Sequence, residues 1–418
     1  MEEWKEYKIG DVCNITSSKR IFASEYNTFG IPFYRGKEII EKQRGSSISN
    51  ELFISEERYK EINAKYGTPS EGDMLLTSVG TLGIPYIVEN NEVFYFKDGN
   101  LTWFNNFKGI NNKYLYYWFL SPKAKHFIDT KAIGSTQKAL TIDTLKNFDI
   151  QLPSIGTQEK IVSILSSIDS KITLNRRIND NLELQAQALY KSWFVDFEPF
   201  KDGKFVDSEL GMIPEGWSIG DIGTYSKVRS GFAFKSSWWT QSGSKVIKIK
   251  NITSDYRLDM TECSFVSKDN TAKASEFRVE VGDLLIAMTG ATIGKFCLIT
   301  SSDNNTYVNQ RVGKFFLGNE PLKRLPFLYC CLKQDSVINE IINKGQGSAQ
   351  PNISGTDIES IKIVLPNDET IPIFNEHLYP MYKMIIKNQE EIELLSTMRD
   401  SILPKLMSGE LKVNDLNN

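Results

Sequence analysis

The chain has 418 residues, 40% of them apolar and 24% charged, and its 49 basic and 52 acidic side chains give a formal net charge of -3. This composition is near the average for soluble globular chains and excludes disordered, collagen-like and low-complexity classes. Two or three domains are expected at this length. The chain has no run of 18 apolar residues and no N-terminal basic region followed by an apolar stretch, so we expect a cytoplasmic protein without a membrane span or secretory signal.

The cysteine content points to the same compartment. Five cysteines occur, an odd number without any CxxC spacing: Cys13, Cys263, Cys297, Cys330 and Cys331. This pattern fits a reducing cytoplasm and predicts neither a disulfide framework nor a zinc site. The sequence pI of about 5.8 argues against a DNA-binding protein that is held by bulk positive charge.

The sequence contains one unit of roughly 210 residues written twice. Matching landmarks keep the same order at an offset of 210 and later of 213 residues: Gly10-Asp11 with Gly220-Asp221, Gly72-Asp73 with Gly282-Asp283, Gly134 with Gly347, and Leu152-Pro153 with Leu365-Pro366. A fixed offset over so many positions predicts a duplicated fold rather than two unrelated domains with similar turns.

Each repeat begins with short β-rich runs separated by Gly, Asn and Pro turns, which predicts an α+β domain. A long helix follows each Leu-Pro pair. In chain order we therefore predict a first globular domain over 1–153, a first spacer helix over 154–200, a linker and second globular domain over 201–366, and a second spacer helix with a C-terminal tail over 367–418.

The first long helix is expected to begin near Gly156, with Thr157 as its N-cap. Its apolar positions alternate in steps of four and three, the spacing of a coiled-coil seam. The seam comprises Ile161, Leu165, Ile168, Ile172, Asn175, Asn179, Leu182, Ala186, Leu189 and Trp193. Adding 213 to each position gives the seam of the second helix, which comprises Phe374, Leu378, Met381, Ile385, Asn388, Ile392, Leu395, Arg399, Ile402 and Leu406.

Each seam needs an apolar partner, and the simplest partner for each helix is the other helix. Because a globular domain separates them in sequence, we predict an antiparallel coiled coil; the alternative is that each helix packs on its own globular domain. Asn175 and Asn388 occupy equivalent seam positions, where a buried amide fixes register at a cost in stability. Whether these two asparagines meet is a hypothesis. Pro380 removes a backbone donor and is expected to bend the second helix.

The sequence shows no pattern that would carry catalysis. The two histidines, His126 and His377, belong to no nucleophile or metal motif, and the chain has no HExxH, no GxxxxGK[ST] phosphate loop and no methyltransferase tetrapeptide of the Asn/Asp-Pro-Pro-Tyr/Phe type. We therefore expect a chain without catalytic residues, cofactor or metal of its own.

Three stretches resemble the specificity (S) subunit of type I restriction-modification systems: Phe194–Phe200 (FVDFEPF), Leu210–Trp217 (LGMIPEGW) and Arg399–Leu411 (RDSILPKLMSGEL). Together with the repeat and the two helices, the resemblance covers essentially the whole chain.

The resemblance implies two target-recognition domains, each reading one half of a split double-stranded DNA target. It also implies that the helices act as a ruler between the half-sites and as the docking surface for two methyltransferase (M) subunits. Those subunits bind S-adenosylmethionine and methylate adenine, while a motor and endonuclease (R) subunit uses ATP, with Mg²⁺ also expected in the partner subunits. Because the two repeats differ at their surfaces, the target is expected to be bipartite and asymmetric.

Base readout requires cationic, amide or hydroxyl side chains at groove-facing positions. In the first domain the candidates are Lys19, Arg20, Arg35, Lys37, Thr77, Ser78, Gln137 and Lys138. In the second domain they are Lys227, Arg229, Lys248, Lys250, Thr289, Thr292, Gln310, Arg311, Gln346 and Gln350. The strongest individual candidates are Arg35, Arg229, Arg311 and Gln350, although any single cation can equally be a solvated surface charge.

Two other functions remain open at this stage: an enzyme with an unrecognised active site, and a repeat-built scaffold that binds proteins without reading bases. The charge distribution bears on the choice. Residues 1–153 carry no net charge and residues 201–366 carry +2, whereas 367–418 carry -4. Neither globular domain is strongly basic, so we expect the chain alone to bind DNA weakly and with modest salt dependence.

Overall fold

The computed structural model describes residues 4–45, 48–49, 51–134, 138–346, 351–366 and 369–413. The chain forms two compact units. Unit 1 comprises residues 1–173 and 394–418, and unit 2 comprises residues 174–393.

The first repeat contains short strands and helices and ends in a long helix. In chain order its elements are β1 (Lys5–Lys8), α1 (Ile9–Val12), β2 (Asn14–Thr16), β3 (Ile31–Tyr34), α2 (Gly36–Arg44), β4 (Phe53–Ile54), α3 (Glu56–Tyr66), β5 (Met74–Thr77), β6 (Pro85–Ile87), β7 (Tyr95–Phe96), β8 (Leu101–Asn105), α4 (Asn112–Leu120), α5 (Pro122–Lys131), α6 (Ile142–Lys146), β9 (Asp149–Leu152) and α7 (Ile155–Phe194).

The second repeat follows a short linker hairpin; it has one strand more than the first repeat and has 3₁₀ turns where the first repeat has α2 and α3. Its elements are β10 (Phe205–Val206), β11 (Ile213–Pro214), β12 (Ser218–Asp221), α8 (Ile222–Tyr225), β13 (Lys227–Ser230), β14 (Trp239–Thr240), β15 (Ser244–Ile247), β16 (Ser264–Val266), β17 (Leu284–Ala287), β18 (Phe296–Leu298), β19 (Thr306–Val308), β20 (Val312–Phe316), α9 (Pro321–Leu332), α10 (Asp335–Gly345), α11 (Gly355–Glu359), β21 (Lys362–Leu365) and α12 (Thr370–Ser408).

The sheet topology of the two globular domains is duplicated. The first has a four-stranded sheet in the order β2-β8-β5-β6, and the second has one in the order β13-β20-β17-β18. A second sheet, with three strands in the first domain and four in the second, contains one parallel pair, β3 with β7 and β15 with β19. The first and last strands of each repeat pair antiparallel, β1 with β9 and β12 with β21. The predicted repeat and the mixed α and β fold are therefore confirmed.

Strands β5 and β17 occupy equivalent inner positions of these sheets, and each is buried on both faces. Side chains alternate across a strand, so Met74 and Leu76 enter one apolar core while Leu75 enters another. In the second domain Leu284 and Ile286 face one core and Leu285 faces the other. Full burial of each such side chain contributes about 1.5–3 kcal/mol, so these strands hold the sheet in place between two apolar layers.

The two long helices pack antiparallel, as predicted from the seams and from the globular domain that separates the helices in sequence. Within unit 2, Phe374 near the start of α12 contacts Tyr190 and Phe194 near the end of α7, with ring centroids 6.0 and 4.9 Å apart. Within unit 1, the opposite helix ends meet, and Asp169 pairs with Arg399 at 2.8 Å. Helix α7 begins at Ile155, earlier than expected, and Ser154 Oγ accepts the backbone N–H of Thr157. The expected N-cap, Thr157, therefore lies inside the first turn.

The helices also pack on the globular domains, so the two packing alternatives occur together. In unit 1 the seam residues Ile161 and Leu165 share a core with Tyr114 of α4 and with Leu403 and Leu406 of α12. In unit 2 the corresponding core combines both helices with α9. Helix α12 is continuous through Pro380. None of the described helices is long and apolar enough to cross a membrane.

Candidate nucleic-acid interface

Lys19 lines two clefts on the first domain, of about 310 and 620 Å³, and Arg20 lines the larger one. The Lys19 Nζ lies 4.4 Å from the ring centre of Tyr66, which is the last residue of α3 and is half exposed. Arg20 is paired with Asp98 at 2.9 Å but remains exposed. Arg58 of α3 also lines the larger cleft. This end of the domain therefore combines cations with an accessible aromatic ring, a combination that suits nucleic-acid binding.

Arg35 has a structural partner. Its guanidinium donates to Glu38, whose side chain is fully buried, at 2.5 and 3.1 Å, and its backbone N–H donates to the same carboxylate at 2.8 Å. This arrangement caps α2, and the bond to Glu38 raises the pKa of Arg35. Lys37 is exposed, 3.8 Å from Glu41. Base readout by Arg35 would therefore require breaking a pair that shields a buried carboxylate.

Thr77 and Ser78 lie inside the first domain rather than at its surface. Thr77 Oγ1 accepts the backbone N–H of Ile84 at 2.9 Å, and Ser78 Oγ lies 2.6 Å from Thr102 Oγ1. Both side chains are at most 2% exposed. Both hydroxyls form hydrogen bonds inside the domain, so in this structure neither side chain can contact a DNA groove. This differs from the expectation drawn from the sequence. Lys138 is exposed, and Gln137 lies outside the described residues.

The second domain brings three candidates into one polar cleft of about 480 Å³. Thr289, Gln310 and Arg311 line it together with Ser230 and Asn352. Gln310 and Arg311 are exposed at the turn between β19 and β20. Thr289 is 6% exposed and donates its hydroxyl proton to Asn352 Oδ1 at 2.9 Å, so it shapes the cleft rather than projecting from it. Donors and acceptors in a concave site of this kind suit recognition of base edges.

Lys227 and Arg229 point out from β13, on the strand face opposite buried Val228. Lys227 pairs with Glu359 at 3.1 Å, and the Arg229 guanidinium lies 5.0 Å from the ring centre of Phe316. Arg229 is the exposed cation next to Ser230 of the cleft. It is therefore better placed for a base or phosphate contact than Lys227.

Lys248 lies over an aromatic ring. Its Nζ is 3.6 Å from the ring centre of Trp239, and burial lowers the pKa of Lys248, with a further contribution from the charge of Lys250. Lys250 is exposed and pairs with Glu262 at 3.1 Å. A partly desolvated ammonium on an indole ring is a strong cation–π arrangement.

The remaining candidates are dispersed. Thr292 donates its hydroxyl proton to the carbonyl of Thr289 at 2.9 Å, and Gln346 is exposed after α10. Gln350, one of the strongest sequence candidates, lies outside the described residues.

The helix seam is buried along its length. Ten of the predicted seam positions are at most 7% exposed or lie against a core: Ile161, Leu165, Ile168, Ile172, Asn175, Phe374, Leu378, Ile385, Asn388 and Met381. Leu182 packs against the unit 2 core and Leu395 is half-buried.

The hypothesis that Asn175 meets Asn388 is wrong. Asn388 Nδ2 donates to Asn179 Oδ1 at 2.8 Å, and Asn179 Nδ2 donates to the carbonyl of Ile385 at 3.2 Å. Asn175 Nδ2 donates instead to Glu391 Oε2 at 2.8 Å. In an antiparallel pair, moving forward along one helix means moving backward along the other, so positions that are equivalent in the repeat are not opposite in space.

Sequence reasoning missed several residues around the clefts. These residues belong to no sequence motif: Tyr66 and Arg58 on α3, and Trp238 and Trp239 after β13. Only the fold shows that Arg58 lines the larger cleft and that the aromatic rings lie beside lysine side chains. The tryptophan pair three residues after Lys235 was the available signal, since aromatic and basic residues close together are common in nucleic-acid sites.

Comparison with known proteins agrees with these features. The family described as "Type I restriction modification DNA specificity domain" matches residues 1–184 and again 214–397. The MjaIX specificity subunit of Methanocaldococcus jannaschii is 27% identical, over 99% of this chain and 95% of that protein. The HindI specificity subunit of Haemophilus influenzae is 22% identical, over 98% and 100%.

The fold is similar to the crystal structure of the type I restriction-modification S subunit from M. genitalium. The TM-score is 0.56 at 17% identity, with 97% of this chain and 96% of that chain covered. The family match covers both repeats, and the fold agrees over nearly the full length. The chain therefore belongs to the type I restriction-modification DNA specificity family and is a non-catalytic specificity subunit with two target-recognition domains.

Proposed function

We propose that the chain reads a bipartite, asymmetric DNA target, with one half-site for each globular domain. The observation that carries this proposal is that the two domains share the four-stranded sheet that begins with β2 or β13 but present different side chains beside that first strand. The first domain presents Lys19, Arg20 and Tyr66, whereas the second presents Arg229, Gln310 and Arg311. Different hydrogen-bonding groups on two domains of one fold support two different half-site sequences.

Neither domain is expected to bind DNA tightly on its own. Several of the candidate cations already have acidic partners, among them Arg20, Lys227 and Lys250. Each of these pairs reduces the positive charge available to phosphates, and phosphate contacts dominate affinity and its salt dependence. We therefore propose that partner subunits supply much of the phosphate contact while this chain supplies the sequence selectivity.

We further propose that those partners are two methyltransferase subunits and a motor and endonuclease subunit. In this assembly the chain directs adenine methylation, with S-adenosylmethionine bound by the methyltransferase subunits, or DNA cleavage, with ATP and Mg²⁺ used by the partner subunits. The duplicated fold supports two equivalent docking positions.

Apolar side chains on the long helices favour protein docking there. Leu174 and Leu184 of α7 are 51% and 71% exposed, and Leu394 of α12 is 69% exposed. We propose that the helices serve as docking surface and as the spacer that sets the gap between half-sites. The five free thiols support a reducing compartment such as the cytoplasm.

Methylome sequencing of cells with and without the gene tests the proposal. The expected result is adenine methylation at one split motif with two different halves, present only when this chain and its methyltransferase partner are expressed. Methylation that is unchanged on deletion would favour a protein-binding scaffold. A motif with two identical halves would contradict the assignment of one distinct half-site to each domain.

A further inference from the structure

Two loops occupy equivalent positions in the duplicated domains. Loop 1, residues 17–30, follows β2, and loop 2, residues 230–243, begins at the end of β13. The offset between them is 213 residues, as it is between the first residues of α1 and α8, so the structure makes Gly223 the equivalent of Gly10, rather than Gly220 as the sequence match had it. Each loop contains one 3₁₀ turn at the same offset, Ala23–Glu25 and Ser236–Trp238.

Both loops are anchored by the same two devices. A buried apolar side chain fixes the middle of each, Ile21 at 3% exposed and Phe234 at 8%. A glycine with positive φ closes each, Gly30 at 128° and Gly243 at 141°. A Cβ at these glycines would lie 2.4 Å from the carbonyl oxygen of Ile54 and 2.3 Å from that of Val266, so only glycine fits.

Between these shared anchors the exposed side chains differ. Loop 1 presents two phenylalanines to solvent, Phe22 at 61% and Phe29 at 80% exposed, beside Lys19 and Arg20. Its one acidic residue, Glu25, is paired with Arg58 at 2.9 Å. Two large aromatic side chains this exposed on one anchored loop offer apolar contact area to a ligand.

Loop 2 presents a different chemistry. Its sequence contains no acidic residue, and Lys235 is its one charged residue. Lys235 is exposed, with its Nζ 5.6 Å from the ring centre of Trp238. The carbonyl of Phe232 in this loop accepts the backbone N–H of Gln310 at 3.0 Å, so the loop is fixed against the Gln310–Arg311 cleft.

We propose that loops 1 and 2 are the specificity loops of their domains, which deepens and rests on the bipartite readout proposed above. The buried side chain and the glycine of each loop fix the position of its backbone. The exposed residues between them contact the bases and determine which bases are preferred. Phe22 and Phe29 contact thymine methyl groups in the first half-site, because that methyl is the apolar group displayed in the major groove. Lys235 donates to guanine N7 in the second half-site.

The test uses the full chain with its methyltransferase subunits and duplexes that carry the methylated motif. Replacing thymine by deoxyuridine in the first half-site removes only the methyl group. Binding of the unaltered protein is expected to weaken roughly three- to fivefold per contacted methyl. The Phe22→Ala/Phe29→Ala variant is expected to bind both duplexes equally. Replacing guanine by 7-deazaguanine in the second half-site tests Lys235→Ala in the same way.

Matched controls separate readout from folding. Val93→Ala removes a half-exposed apolar side chain of the first domain, and Lys201→Ala removes an exposed lysine outside both loops; both are expected to retain full discrimination. Melting temperatures of the loop variants should equal that of the unaltered protein, because the replaced side chains are exposed.

The outcomes distinguish the two proposals. If no split motif is methylated, the proposed function itself fails. If a split motif is methylated but its first half contains no thymine, or the Phe variant keeps its thymine preference, the assignment of loop 1 is overturned. If Lys235→Ala still distinguishes guanine from 7-deazaguanine to the same extent, the assignment of loop 2 is overturned.

Discussion

A buried asparagine pair joins the two long helices within unit 2, and its removal has a calculable effect. Asn179 and Asn388 are 6% and 7% exposed, and the hydrogen bond between them is 2.8 Å long. Asn388→Leu leaves the Asn179 side-chain oxygen buried without its donor, which costs about 1–3 kcal/mol. Asn179→Leu has the same effect on Asn388 and also removes the bond to the Ile385 carbonyl.

The double variant is expected to recover most of this loss. With both amides replaced by leucine, no unsatisfied polar group remains and the apolar seam continues through the site. We therefore expect the double variant to be as stable as the unaltered chain or more stable, with an interaction free energy of roughly 1–3 kcal/mol between the two positions. Its helix register should be less well defined, since the polar pair fixes it.

Calorimetric unfolding of all four proteins measures this cycle. In a domain of 150–250 residues each kcal/mol shifts the melting temperature by about 2–4 °C, so each single variant should melt roughly 2–12 °C lower. Asn181→Leu, at an exposed position of the same helix, is the control and should change the free energy of unfolding by less than about 0.5 kcal/mol. Additive single losses in the double variant would refute the pairing.

Three further predictions follow from individual side chains. Arg35→Ala should lower the free energy of unfolding by roughly 2–3 kcal/mol, because it removes charged hydrogen bonds from buried Glu38; an unchanged melting curve would instead return Arg35 to the base-reading candidates. In native protein one thiol, Cys263, should react with a thiol reagent at pH 8. The other four thiols should not react, because burial raises the pKa of Cys13, Cys297 and Cys330 to about 12 and that of Cys331 to about 11. All five should react after denaturation. Hydrogen bonds from Ser354 lower the pKa of Asp357 below its ordinary 3.8. The contribution of ionised Asp357 to the stability of the folded protein is therefore fully present above that value and is lost as the pH falls through the folded-state pKa. Asp357→Asn should flatten the acid side of a plot of melting temperature against pH, and an unchanged slope would contradict this.

The repeat and the helix seam could be predicted because both are periodic in sequence. A fixed offset identifies equivalent positions, and the alternation of four and three identifies one helix face. Which residues touch across the helix pair could not be predicted, because contact depends on the antiparallel register. Asn388 therefore meets Asn179 rather than its repeat equivalent, Asn175.

The candidate site was less predictable because burial decides which polar residues are available. Thr77 and Ser78 follow an apolar run, and the sequence alone does not show that their hydroxyls form hydrogen bonds with groups inside the domain. Arg35 was a strong candidate by residue type, yet its function in the fold is to pair with Glu38. Conversely, Phe22 and Phe29 are of a residue type that is usually buried in a core, yet both are exposed.

The division of the chain into units has a consequence for biosynthesis. Unit 2 is one continuous segment, whereas unit 1 needs residues from both ends of the chain. Leu403, Leu406 and Met407 complete the core around Ile161 and Leu165. On the ribosome, the first domain to be synthesised therefore waits for the last residues before its core closes. A chain that ends at residue 393 would keep the full sequence of unit 2 but would expose apolar surface on unit 1. A truncation at the C-terminus would therefore destabilise the N-terminal domain.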